Sequence, residues 1–198
     1  MLEPSPAGVI VLAGGEATRL PGKLTMRIGD FPLLVRVFRN VSAGRETMIS
    51  CNGALPFETG ALIDAPVVVD RWPLRGPLSG LLSTMSALRT PWVFAVAGDA
   101  PFIDAGLIAA LEACIEPGAE AIVPRHNRDG ETRIEPLAAL YARDAFLREG
   151  MQLLMSGSGS LHAVVERLQT RYLDLADGRI FANVNTKADY DALAQVLA

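Results

Sequence analysis

Uninterrupted apolar runs of strand length recur along the chain, with helix-period segments between them. Ala7–Leu12 (AGVIVL) is the first, Glu46–Cys51 (ETMISC) the second, Ala65–Val69 (APVVV) the third and Trp92–Ala97 (WVFAVA) the fourth. Between them, Pro32–Val41 (PLLVRVFRNV) spaces Leu33, Leu34, Val37 and Val41 along one helical face, and Leu78–Leu88 reads as another helix. Asp104 is placed to cap a further helix whose buried face is expected to carry Leu107, Ile108, Leu111 and Ile115. Later, Glu120–Pro124 predicts a strand, Asp129-Gly130 within NRDGE a hairpin-type turn, and PLAALY from Pro136 the returning strand. A helix over Arg143–Met155 follows, and SGSGS at 156–160 is too short for a domain linker, so it reads as a loop or hinge. Thr186 and Asp189 then form a capping-box pattern ahead of Tyr190, Leu193 and Leu197. No internal repeat is visible.

A strand that is apolar at every position is covered on both faces, which in this alternating order means a mostly parallel sheet between layers of helices. The expected fold is α/β, a three-layer α/β/α sandwich over a single domain of residues 1–198, mixed near its later strands because of the hairpin. Ligands in such sheets bind beyond the carboxyl ends of the strands. The four ends here are distinctive: LAGGEATRLPGK after the first, Asn52 after the second, Asp70 and RWPLRGPLSG after the third, and GDAPF with Asp99 after the fourth.

Composition narrows the function classes. A net charge of −4 argues against a general nucleic-acid binder. The apolar runs fall well short of the roughly 20 residues that a membrane span needs, and MLEPSPAG lacks the basic start of a signal peptide, so the expected location is the cytoplasm. Cys51 and Cys114 are far apart, lack a CxxC pattern and read as buried thiols. His126 and His162 are too few and too separated for a zinc site. Of the 18 basic residues only Lys23 and Lys187 are lysine.

The first strand end has the shape of an anion-binding loop without a standard phosphate motif. A Walker A sequence would need glycine at position 17 and Ser or Thr at position 24, which hold Ala17 and Leu24, and GxGxxG is absent. What remains is backbone around Gly14 and Gly15 that can approach an anion closely, with Arg19 and Lys23 adding charge. Asp99 follows six apolar residues, where a carboxylate is costly unless partnered. With so few histidines the natural partner is a hard cation, and magnesium typically takes one or two carboxylates plus substrate phosphates.

These residues resemble a known family. LAGGEATRLPGK is similar to the LAGG-x-S/T-x-R-x-G-x-x-K signature of nucleotidyltransferases and, more narrowly, to that of the molybdenum cofactor guanylyltransferase family. DRWPLRGPLSGL, AGDAPFI, EPLAALY and NVNTKADY resemble further elements of that family in order and spacing, so the likeness spans residues 8 to about 190. LAGG alone is shared with sugar-nucleotide and cytidylyl enzymes, whereas the combination of GPLSG, GDAPF and NVNT is much narrower. The resemblance implies a Rossmann-like nucleotidyltransferase fold, with Leu12, Ala13, Gly14 and Gly15 meeting the nucleotide by backbone. It also implies Lys23 at its phosphates, Asn52 and Asp70 in the nucleotide site, Asp99 holding magnesium, and Asn183 and Asn185 near the pterin substrate. One departure is the stretch LPG between Arg19 and Lys23, shorter than the family's usual glycine-rich segment, which makes the reach of Lys23 a question for the structure.

The implied reaction transfers GMP from GTP to the terminal phosphate of molybdopterin, with pyrophosphate leaving. The attacking phosphate is already ionised near neutral pH, so no strong base is required, and catalysis would rest on positioning and charge neutralisation by Arg19, Lys23 and a magnesium ion on Asp99. Residues 16–39 carry five cations against two anions, a local surplus of the right sign. The alternatives are a molybdopterin cytidylyltransferase using CTP, a related enzyme acting on a sugar phosphate, or a nucleotide-binding module without turnover. Other enzymes of molybdenum cofactor biosynthesis, or its target enzymes, are further possible partners, with no nucleic acid or membrane among them.

Overall fold

The computed structural model describes residues 7–14, 19–72 and 76–197. All four apolar runs are strands. The first half runs β1 (Gly8–Leu12), β2 (Arg27–Ile28), β3 (Phe31–Pro32), α1 (Leu33–Ser42), β4 (Thr47–Cys51), α2 (Phe57–Gly60), β5 (Val67–Val69), α3 (Pro77–Met85) and β6 (Trp92–Ala97). The second runs α4 (Ala105–Glu112), β7 (Ala121–Arg128), β8 (Glu131–Ile134), β9 (Ala138–Ala142), α5 (Arg143–Met155), α6 (Leu161–Arg167), β10 (Thr170–Leu175) and α7 (Lys187–Leu197).

The main sheet has the order β10-β7-β9-β6-β1-β4-β5, with β8 added to β7. β1, β4, β5 and β6 are mutually parallel, and β9 runs against both β6 and β7. Side chains alternate between the two faces of a strand. Val9 and Val11 therefore enter one core with Leu34 and Val37 of α1 and Leu107 and Ile108 of α4. Ile10 and Leu12 enter the other, with Leu78 and Leu82 of α3, Phe146 of α5 and Val164 of α6. Each such side chain removed from water contributes about 1.5–3 kcal/mol, so the continuous apolar runs of β1 and β6 follow from the three-layer arrangement, whereas β5, an edge strand, departs from the expectation and leaves Val67 and Val69 exposed. Among the described residues, no helix is long and apolar enough to cross a membrane.

Several local expectations are met. Leu33, Leu34, Val37 and Val41 are fully buried on α1. Asp104 caps α4 by accepting from the Gly106 and Leu107 amides. Thr186 and Asp189 form both bonds of a capping box, Thr186 N–H to Asp189 Oδ2 at 2.8 Å and Asp189 N–H to Thr186 Oγ1 at 3.2 Å. Asp129 and Gly130 both take positive φ, 56° and 82°, as a two-residue hairpin turn requires.

Others are corrected. The direct hairpin partner of β7 is β8, and PLAALY supplies β9, which pairs with the other half of the same β7 edge and with β6. Pro136, which has no N–H to give a ladder, lies in the break between them. Ile115 lies beyond the end of α4 and is 36% exposed. Cys51 is a buried free thiol as expected, but Cys114 is only half-buried. SGSGS is a helix stop followed by a start. Gly157, at φ 88°, donates to Leu154 C=O and Ser158 to Leu153 C=O, after which Ser160 caps α6.

Candidate active site

The parallel register sets the strand ends level. Leu12 stands opposite Ser50 on one side and Ala97 on the other, and Cys51 stands opposite Val69. The residues that follow meet at one edge of the sheet, around a cavity of about 550 Å³ lined by Leu12, Gly14, Lys23, Asn52, Asp70, Asp99 and Asn183, among others. Four loops that are remote in sequence are brought together because β1, β4, β5 and β6 are neighbours.

At the nucleotide-loop end, Gly14 lies against Asn52. A side-chain carbon on Gly14 would come within 2.9 Å of Asn52 Oδ1, so the two occupy contiguous space only because residue 14 has no side chain. The Ala13 amide is committed to Ser50 C=O at 2.7 Å, and Leu12 C=O accepts from Gly98 N–H at 2.8 Å. The loop's binding capacity therefore lies from Gly14 onward, and Gly15 falls outside the described residues.

Asp70 is fixed from two sides. Ser50 Oγ donates to its Oδ1 at 2.8 Å, and its amide donates to Cys51 C=O at 3.0 Å. Burial raises its pKa above the ordinary carboxylate value, and the Ser50 bond opposes that shift. Gly80 of α3 allows this approach, since an added carbon there would lie 2.5 Å from Ser50 Oγ and 3.1 Å from both Asp70 carboxylate oxygens. Neither Ser50 nor Gly80 stood out in the sequence. The available signal was a serine within a largely apolar strand, two residues before Asn52.

Across the cavity, the Lys23 ammonium pairs with Asp99 Oδ2 and donates to Asn185 Oδ1 at 2.9 Å. The two charged side chains are only 14% and 15% exposed. The stretch LPG thus does not withdraw Lys23: Gly22, at φ 72°, turns the chain so that Lys23 begins a short 3-10 turn facing the site. Among the described residues, the cation that partners Asp99 is this ammonium. Gly98 lets the Asp99 loop pack closely, because a carbon there would lie 2.9 Å from both Leu12 O and Leu34 Cδ1. Val184 N–H donates to Asp99 C=O at 3.0 Å, which carries Asn183 onto the cavity wall and Asn185 to Lys23. Ile28, Leu33, Val184 and Leu193 form a small separate core that seats α7 against the segment after Lys23.

Arg19 is exposed and is not among the residues lining this cavity; its charge is felt at Asp189, whose pKa is lowered chiefly by the Asn185 and Thr186 amides. The local surplus of cations is also mostly spent elsewhere. Arg27 donates to Asp30 C=O, Arg36 to Ile28 C=O, and Arg39 lies 3.9 Å over the Phe31 ring. Of the five, Lys23 is the one that lines the cavity.

Comparison with known proteins bears on the family and the fold. The model of the MobA-like NTP transferase domain matches residues 9–172. Molybdenum cofactor guanylyltransferases of Burkholderia orbicola and Burkholderia lata are 32% and 33% identical to the chain, each alignment covering 97% of both proteins. A solved structure of molybdopterin-guanine dinucleotide biosynthesis protein A from Archaeoglobus fulgidus superimposes with a TM-score of 0.77 at 23% identity, over 96% of this chain and 97% of that one, a likeness of fold. With the strand-end cavity and a match over most of its length, the chain belongs to the MobA-like NTP transferase family.

Proposed function

We propose that the chain is a molybdenum cofactor guanylyltransferase, acting as one nucleotidyltransferase unit on GTP and molybdopterin. An oxygen of the acceptor's terminal phosphate attacks the α-phosphorus of GTP. The bond from that phosphorus to the β-phosphate bridging oxygen breaks, and pyrophosphate leaves with the electron pair. The observation that carries this reading is the convergence of Lys23, Asp99 and Asn185 at one side of the strand-end cavity, opposite Gly14 and Asn52. Nucleoside triphosphates are cytoplasmic substrates, and the reaction is placed there.

The reading assigns a role to each wall. The backbone from Gly14 onward receives the nucleotide, since the Leu12 carbonyl and the Ala13 amide are already bonded within the protein, and Asn52 is packed on Gly14 beside a base edge. Asp70, oriented by Ser50, belongs to the nucleotide side of the cavity. Lys23 turns its ammonium from Asp99 to the triphosphate, and Arg19, exposed and outside the cavity lining, adds charge from further away; together they offset the negative charge that grows on the leaving pyrophosphate. Asn183 and Asn185 hold the pterin side.

Magnesium fits this donor set. Among the described residues no three His, Cys, Asp or Glu side chains cluster into a cage, and one or two carboxylates supplemented by substrate phosphates is the usual magnesium arrangement. Asp99 would hold the ion, which when bound neutralises phosphate charge.

The test is kcat/KM for GTP and CTP at fixed molybdopterin and magnesium, read by pyrophosphate release. Guanine bonded at Asn52 and the loop backbone should be preferred by at least about a hundredfold, since two unpaired buried polar groups cost about 1–3 kcal/mol each. A CTP value equal to or above that for GTP moves the chain to the cytidylyl branch, and no pyrophosphate with any nucleotide makes it a binding module.

A further inference from the structure

His126 sits within β7, 5% exposed, and the mechanism above does not use it. Its Nε2 lies 2.9 Å from Glu135 Oε1, and its ring stacks on Phe181 with centroids 5.3 Å apart and planes 24° from parallel. An ionised carboxylate only accepts, so Nε2 carries the proton of that bond. The other ring nitrogen, Nδ1, is buried without a hydrogen-bond partner among the described residues. Gly178 closes over it, since an added carbon there would lie 2.4 Å from Nδ1. A buried unsatisfied nitrogen is costly. An apolar ring would fill the same space without that cost, so packing alone does not account for a histidine here.

What the ring joins does account for it. Glu135 stands two residues before Leu137, and Phe181 two residues before Asn183; Leu137 and Asn183 both line the cavity. Each connection is stiff. Glu135 N–H donates to Pro124 C=O at 3.1 Å, and the buried Tyr141 hydroxyl donates to Pro136 C=O at 2.7 Å. Phe181 N–H donates to Gly178 C=O at 3.0 Å, and Val184 N–H to Asp99 C=O at 3.0 Å. We infer that His126 is a positioning residue for the acceptor side of the cavity, holding the Leu137 wall and the Asn183–Asn185 wall in register through Glu135 and Phe181. The inference rests on the proposed assignment of Asn183 and Asn185 to the acceptor.

The test compares wild type with His126→Phe, Glu135→Ala and Glu135→Gln. His126→Phe keeps an aromatic ring on Phe181 but loses the bond; Glu135→Gln keeps an acceptor oxygen. Loss of one such bond is worth about a tenfold change or more. His126→Phe and Glu135→Ala should therefore raise KM for molybdopterin about tenfold or more, with KM for GTP within about twofold, while Glu135→Gln stays near wild type. Amide hydrogen exchange over 179–186, measured without any substrate, should rise in the first two variants and stay unchanged at β1 and β4. Unchanged KM and unchanged exchange would overturn the inference, as would both KM values rising together. If wild type itself transfers nothing to molybdopterin, the proposed function falls, and the exchange measurement still decides whether His126 fixes this segment.

Discussion

Replacing Lys23 by methionine keeps the aliphatic stem and removes the charge shared by Asp99 and Asn185. Fully exposed ion pairs contribute about 0–1 kcal/mol, and breaking a fully buried one costs about 3–5 kcal/mol. With side chains 14% and 15% exposed, this pair lies between those limits, and its loss should cost about 1–3 kcal/mol. At this size each kcal/mol moves Tm by about 2–4 °C, so melting should fall by roughly 2–12 °C. Most of that cost is the Asp99 carboxylate left without its cation, so in an Asp99→Asn background the same substitution should cost about 1 kcal/mol or less, a double-mutant coupling. Binding gives a second readout. GTP affinity with magnesium should weaken by about 10- to 100-fold, the scale of a charge-assisted hydrogen bond. Magnesium affinity of the nucleotide-free protein should rise, because Asp99 no longer has an internal cation to displace. Thermal and urea denaturation of the four proteins of the cycle, with calorimetric titrations of GTP and of magnesium, measure all of this. Strictly additive stabilities, or equal GTP binding by wild type and Lys23→Met, would refute the reasoning.

Asp99→Asn, nearly isosteric, should keep the fold and lose magnesium-dependent turnover by orders of magnitude; an unchanged magnesium titration of pyrophosphate release would remove Asp99 from the metal. Gly80→Ala should destabilise by about 1–3 kcal/mol despite alanine's better helix propensity, because the new carbon meets Ser50 and Asp70, and should weaken GTP binding; a raised Tm would show that Asp70 is not held as described. Glu112 takes Arg45 Nη1 and Nη2 at 2.6 and 2.8 Å and the Ala7 amide at 2.8 Å, and the Arg45 bonds chiefly hold its pKa below the ordinary 4.5. A depressed folded value means stability fully present above about 4.5 and lost as pH falls through the folded value, so the Tm gap between wild type and Glu112→Gln should be open at pH 7 and close toward pH 3; a gap constant with pH would contradict this.

The parts of the fold legible in the sequence were those with one strong period. AGVIVL and WVFAVA could be little other than strands buried on both faces, and α1 declared its face through Leu33, Leu34, Val37 and Val41. What was missed has short or mixed signals. β10 carries TRYLDL, exposed at Arg171, Tyr172 and Asp174 on the sheet's edge, and α6 is only LHAVVER between a helix stop and a turn. The β8–β9 division was invisible because one proline decides it: the return strand pairs with β7 on both sides of Pro136, and the break carries Leu137 to the cavity.

The site divides along a similar line, and the reason is register. Gly14, Asn52, Asp70 and Asp99 could be grouped in advance because each lies within two residues of the end of a parallel strand, and parallel neighbours bring their ends level. Lys23 and Asn185 follow no strand, and 162 residues separate them. Their meeting depends on a positive-φ glycine at 22, on a small apolar core joining Ile28 and Leu33 to Val184 and Leu193, and on one backbone bond from Val184 to Asp99. Periodicity encodes none of these, because each is a contact between irregular segments. The same holds for Ser50 and Gly80, whose importance lies in what the absent side chain at 80 allows the hydroxyl at 50 to reach. The residues hardest to read from sequence are therefore those that set the position of others, and they are where substitution should alter binding without removing any group that touches the substrate.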